Sequence, residues 1–146
     1  MAATPTFQLA TVQSELMRVF CLIIAAVSLL CAALQYNDPD PMLWGAYYLA
    51  LGLFAILCSF GLKLRFGFIS LVMASLMLLG STWPGVQQYI GNKDGQTLAN
   101  AMSKEYPYIE QTREFGGAAI GLAAAISCFL VAQRLPRPSR APANQN

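Results

Sequence analysis

A chain of 146 residues that is 56% apolar and only 11% charged cannot dress a soluble domain in polar surface, since soluble chains carry roughly 25% charged residues. A net charge of +2 without a basic face or stripe argues against a nucleic-acid partner. The chain has no histidine, so the commonest metal ligand, the usual general base near neutral pH and the usual haem ligand are missing, and no cofactor or metal is expected.

Uncharged runs extend from Val19 to Tyr36, Met42 to Leu62, Phe66 to Gly91 and Phe115 to Gln133. About 20 apolar residues cross a hydrocarbon core about 30 Å thick. Four transmembrane helices are therefore expected, over about 18–35, 42–62, 66–83 and 114–133. The third is expected to end near Trp83 because Pro84 and Gly85 follow, and proline interrupts a helix. The first run reads as a retained span. The residues before it carry Glu15 as well as Arg18, its apolar stretch exceeds a usual signal core, and no small-x-small cleavage site follows. Cys21, Cys31, Cys58 and Cys128 each lie inside an apolar run, with no C-x-x-C pair, and are expected to act as small hydrophobes.

Between the third and fourth spans lies the only long connection. Leu98, Met102 and Tyr106 recur there at helical spacing before Pro107, which predicts a short helix on the membrane surface. The tail 135–146, rich in Pro and Arg, is expected to be disordered and separate from the four-span domain 1–134. The fold class is thus all-α, an integral membrane four-helix bundle.

Positive charge in short loops orients such a bundle. Arg18, Lys63, Arg65, Arg134, Arg137 and Arg140 fall on one side of the four spans, and only Lys93, Lys104 and Arg113 on the other. Both termini are expected in the cytoplasm, and in a bacterium the chain would sit in the inner membrane. Trp44, Trp83 and all six tyrosines lie toward the outer ends of the spans, where an amphipathic ring suits the interface. The fourth span carries Gly117 and Gly121, a G-x-x-x-G extended by Ala125. Small residues at this spacing let helices approach closely where lipid supplies no hydrophobic drive. The neighbour is expected to be another span, with self-association as the alternative.

Two outer motifs stand apart from this hydrophobic pattern. The first is Gln35-Tyr36-Asn37-Asp38-Pro39-Asp40-Pro41, followed by Trp44 and Tyr48. A purely structural account has Asp40 capping the second helix and Pro41 at its first position, with Asn37 and Asp38 in the turn. The second is Glu110-Gln111-Thr112-Arg113-Glu114-Phe115-Gly116-Gly117 at the start of the fourth span. Glu110 and Glu114 share a helix face, with Arg113 in pairing reach. A compact bundle brings both motifs together. Arg113 is then expected to bridge to Asp38 or Asp40 as a latch. The alternative is a polar pocket of Gln35, Asn37, Asp38, Asp40, Trp44, Tyr48, Glu110, Arg113 and Glu114 that binds a small molecule or lipid headgroup. Calcium would suit its oxygen atoms, although the spacing follows no EF-hand loop.

The pattern Gln35-x-Asn37-Asp38-Pro39-Asp40 with Trp44 and Tyr48, and then Glu110-x-x-Arg113-Glu114-x-x-Gly117, resembles the transmembrane protein 220 family. The resemblance runs from the first span through the fourth. It implies a small helical multi-pass membrane protein and links the two outer motifs, without implying a particular chemistry. No nucleophile constellation, phosphate loop or mid-span charge occurs, so a structural or accessory protein is expected before an enzyme or an ion pathway. Its partners would be membrane lipids and other membrane proteins.

Overall fold

The computed structural model describes residues 5–38, 40–92, 97–98 and 106–136, with side chains from residue 11 onward, residue 37 excepted. Its elements are α1 (Pro5–Leu34), a one-turn 3-10 helix (Gln35–Asn37), α2 (Pro41–Ser59), α3 (Arg65–Gly91) and α4 (Pro107–Arg134). All four α-helices are long and apolar enough to cross a membrane. Lipid offers the backbone no hydrogen-bond partner, so a spanning segment must satisfy every N–H and C=O within itself. Continuous apolar runs of this length therefore fold as helices. The expected surface helix falls mainly on residues 99–105 and the expected tail mainly on 137–146, both outside the described residues.

Helix α3 departs from the sequence expectation. It does not end near Trp83 but continues through Pro84 to Gly91. A proline inside a helix loses one backbone bond and crowds the carbonyl four residues earlier, here that of Gly80. Ending the helix at that depth would expose several unpaired backbone groups instead of one. Nearby hydroxyls also turn back onto the backbone, with Ser81 Oγ and Thr82 Oγ1 donating to the Leu78 carbonyl at 2.9 and 2.8 Å. Helix α4 likewise begins seven residues before its expected start at 114, with Pro107 in its first turn and Glu110 near its positive end.

The helices pack as two extensive pairs, α1 with α2 and α3 with α4, joined where α2 lies against α4. On α2, the buried residues Trp44, Tyr47, Leu51, Ala55 and Cys58 recur every three or four positions, one helix face turned inward. On α4 the facing seam is small: Ala118, Gly121, Ala125, Cys128 and Ala132. Cys21 of α1 is also fully buried. Among the described residues every cysteine is a free thiol.

The two pairs meet again at the end that carries the α2–α3 turn and the exit of α4. Gly61 has φ 74°, a left-handed conformation that costs other residues dearly, and a β-carbon there would collide with the Pro136 carbonyl. Lys63 Nζ donates to the Gln133 carbonyl at 3.2 Å, so a cation closes the C-terminal turn of α4. This is the terminal end. The opposite one, which carries the α1–α2 connection, is the loop end.

Candidate functional site

The site at the loop end begins with the α1–α2 connection. Gln35 stays tied to its own helix, its Nε2 donating to the Cys31 carbonyl at 3.2 Å. Asp38 Oδ1 accepts the Asp40 amide at 2.9 Å, a local side-chain turn that aspartate favours. Asp40 occupies the N-cap position of α2 with Pro41 next, but its side chain makes no capping bond. Instead its carbonyl accepts the amides of Leu43 and Trp44 at 3.1 and 3.3 Å, and the exposed carboxylate is left to water. Asp38, rather than the cap residue, orders this turn. The side chain of Asn37 lies outside the described residues.

One turn into α2, Trp44 and Tyr48 project from the same helix face toward the start of α4. Trp44 is 3% exposed, and its indole Nε1 donates to Glu114 Oε1 at 2.7 Å. A buried indole needs an acceptor, and this short charge-assisted bond ties α2 to α4. The Tyr48 hydroxyl fills the notch left by Gly117, where a β-carbon would collide with it. The Tyr47 hydroxyl does the same at Gly121. The G-x-x-x-G of α4 thus receives two tyrosine heads from α2, and its neighbour lies within the same chain. Ala125, the next residue of the seam, is fully buried.

Gln35, Asp38, Trp44, Tyr48, Glu110, Arg113 and Glu114 line one cavity of about 210 Å³. The structure therefore brings seven of the nine sequence candidates together and leaves exposed Asp40 out of the lining. Carboxylate oxygens of Asp38, Glu110 and Glu114 lie within 4.8 Å of one another. Three such groups repel unless a proton or a cation is shared among them. The Arg113 guanidinium supplies positive charge in the same cavity, and its Nε donates to the Leu98 carbonyl at 2.7 Å. A helix-to-helix tie at this cavity is made by Trp44 and Glu114. An all-oxygen donor set of this kind fits a hard cation better than a soft one.

Tyr47 and Ser75 form a second polar contact that the sequence reading passed over. Their hydroxyls meet at 2.7 Å in the buried interior, and Ser75 Oγ also donates to the Leu71 carbonyl at 2.8 Å. Tyr47 reads as an interface residue by type, but its place in the three-and-four spacing of buried α2 residues was the signal that it turns inward. Gly85 was another surprise. Read as a helix breaker, it sits inside α3, where a β-carbon would collide with Gln111 and approach the Tyr108 carbonyl. It is the close-approach point between α3 and α4.

No curated protein and no solved structure matches the chain. Residues 27–130 match the family described as "Transmembrane family 220, helix". That segment runs from within α1 almost to the end of α4 and takes in both polar motifs of the loop end. With four membrane-length helices and a match over most of its length, this multi-pass integral membrane protein belongs to transmembrane family 220.

Proposed function

We propose that the chain is a non-enzymatic structural or accessory membrane protein whose loop-end cluster acts as a latch between its two helix pairs. The bond from Trp44 to Glu114 carries this reading, because it joins α2 to α4 across 70 positions at a point where lipid gives no hydrophobic drive for association. The absence of Asp, Glu, Lys and Arg from all four uncharged runs supports it, since pumps and ion pathways place such groups at mid-depth. Both termini are placed in the cytoplasm, in the inner membrane if the cell is bacterial, and the partners are lipids and other membrane proteins.

The test is a double-mutant cycle on unfolding in mild detergent. Trp44→Phe and Glu114→Ala should each lower stability by about 1.5–3 kcal/mol, the range for a hydrogen bond to a charged group. The double variant should be little worse than either single one. Additive losses, or singles that unfold like the parent, would remove the latch.

A second reading is favoured by the three carboxylates gathered within 4.8 Å. On this reading the cavity binds a hard divalent cation or a small cationic ligand. Calcium titrated into detergent-solubilised protein should then change the emission of Trp44, and Asp38→Asn should abolish the change. An emission spectrum indifferent to calcium, together with an unaltered thermal midpoint, excludes that ion.

A further inference from the structure

Helices α2 and α3 are joined by a short turn yet touch over little of their length. They leave between them a slot of about 770 Å³, open to the side. Its walls are hydrocarbon, including Ala50, Leu53 and Leu57 from α2 and Gly67, Ala74 and Met77 from α3. Apart from the Ser70 hydroxyl, the polar side chains that line it are engaged. The Tyr47 hydroxyl pairs with Ser75, and Ser81 Oγ donates to the Leu78 carbonyl. Such a slot recognises an alkyl chain and little else.

Its size selects among alkyl-rich occupants. Binding cavities for small molecules occupy roughly 300–1,000 Å³, and this one falls within that range. A transmembrane helix about 10 Å across and 30 Å long fills roughly 2,400 Å³, about three times the space available. A lipid tail fits, whereas a helix from a second copy would rest on the rim.

Charge selects the headgroup. The slot reaches Leu64 at the terminal end, and Leu64 is flanked by Lys63 and Arg65. Arg65 is exposed and, among the described residues, enters no ion pair. Lys63 uses its ammonium on the Gln133 carbonyl, with further N–H groups to spare. Among the described acids, Glu15 alone belongs to this end, and it pairs with Arg18 at 3.8 Å. The mouth is therefore positive, and the amides of the first turn of α3, which no side chain caps, add to that field. From Leu64 to Ser81 the lining on α3 rises about 25 Å, most of a 30 Å core, so an extended tail that enters at Leu64 has room for its length.

We propose that the slot between α2 and α3 holds one tail of an anionic phospholipid, with its phosphate at Lys63 and Arg65. Its headgroup end lies at the opposite end of the molecule from the Trp44–Glu114 latch.

The experiment is native mass spectrometry of the delipidated full-length protein, titrated with phosphatidylglycerol or phosphatidylcholine. One phosphatidylglycerol per chain should be retained, and phosphatidylcholine should bind more weakly. A basic residue near an anionic surface contributes enough for about a fivefold change in affinity. Lys63→Gln and Arg65→Gln should each weaken phosphatidylglycerol by that factor and leave phosphatidylcholine unchanged. Because Lys63 also supports α4, Arg65→Gln carries the headgroup test if Lys63→Gln fails to fold. Ala74→Phe, which fills the slot, should weaken both lipids, whereas Leu76→Phe on the exposed face of α3 should change neither. Equal binding of the two lipids by the parent, indifference to Arg65→Gln, or unchanged binding in Ala74→Phe would each overturn the proposal. So would a phosphatidylglycerol with a photoreactive tail that labels all four helices evenly, or a dimer cross-linked through the slot.

Discussion

Neighbouring glycines in α4 answer to different constraints. Gly117 and Gly121 each receive a tyrosine hydroxyl from α2, whereas a β-carbon at Gly116 would meet nothing within 4 Å. Gly121→Ala should therefore lower stability by about 1–3 kcal/mol, the usual range for overpacking. Gly116→Ala should be neutral or slightly stabilising, because alanine suits a helix better than glycine. Paired thermal unfolding curves in the same detergent check both. Tyr47→Phe makes a finer comparison. It removes the bond to Ser75, but Ser75 keeps its donation to the Leu71 carbonyl. The loss should be about 0.6 kcal/mol, typical of hydrogen bonds between membrane helices, and well short of the loss expected for Trp44→Phe. A large loss at Tyr47 would mean that the contact between α2 and α3 matters more to the bundle than the latch.

At the scale of the element, α3 and the α2–α3 turn each contain one residue held against its preference. Pro84 lies within α3 and forfeits the bond its amide would have made. Pro84→Ala restores a donor and should stabilise the protein by up to about 3 kcal/mol, seen as a higher midpoint of unfolding. A lower midpoint would show that the proline sets a bend on which the packing against α4 depends. Gly61 is the converse, since its positive φ and its closeness to the Pro136 carbonyl both exclude a side chain. Gly61→Ala should cost about 1–2 kcal/mol from the backbone alone. The loosened turn should also free Lys63 from Gln133, which faster hydrogen exchange at the end of α4 would reveal.

For the whole molecule, the proposed topology puts both termini on one side of the membrane, the cytoplasmic one by the positive-inside distribution of Lys and Arg. Reporter fusions at the two ends should give the same cytoplasmic signal, and a fusion in the 92–106 connection the opposite one. Opposite signals from the two termini would remove one span. The two ends of the bundle also differ in chemistry. The loop end gathers carboxylates around a small polar cavity, and the terminal end carries basic residues beside an apolar slot. That polarity follows from where the charges sit in the chain, because an uncharged span can place its charged neighbours only at its ends.

Span number, helical class, membrane residence and the meeting of two polar motifs at one end were all readable in the sequence. The reason is that lipid forces any long uncharged run into a helix and any charged segment to its ends. That rule needs only the order of the residues. It says nothing about which way a helix is rotated, so the contacts that depend on rotation were decided by the tertiary structure. The bond between Trp44 and Glu114 is one such contact, because burying the indole beside α4 demands an acceptor there. The continuation of α3 past Pro84 was likewise set by the expense of unpaired backbone in lipid rather than by the local preference of proline. The slot between α2 and α3 had no counterpart in the sequence at all, since a gap between helices is a property of how they diverge.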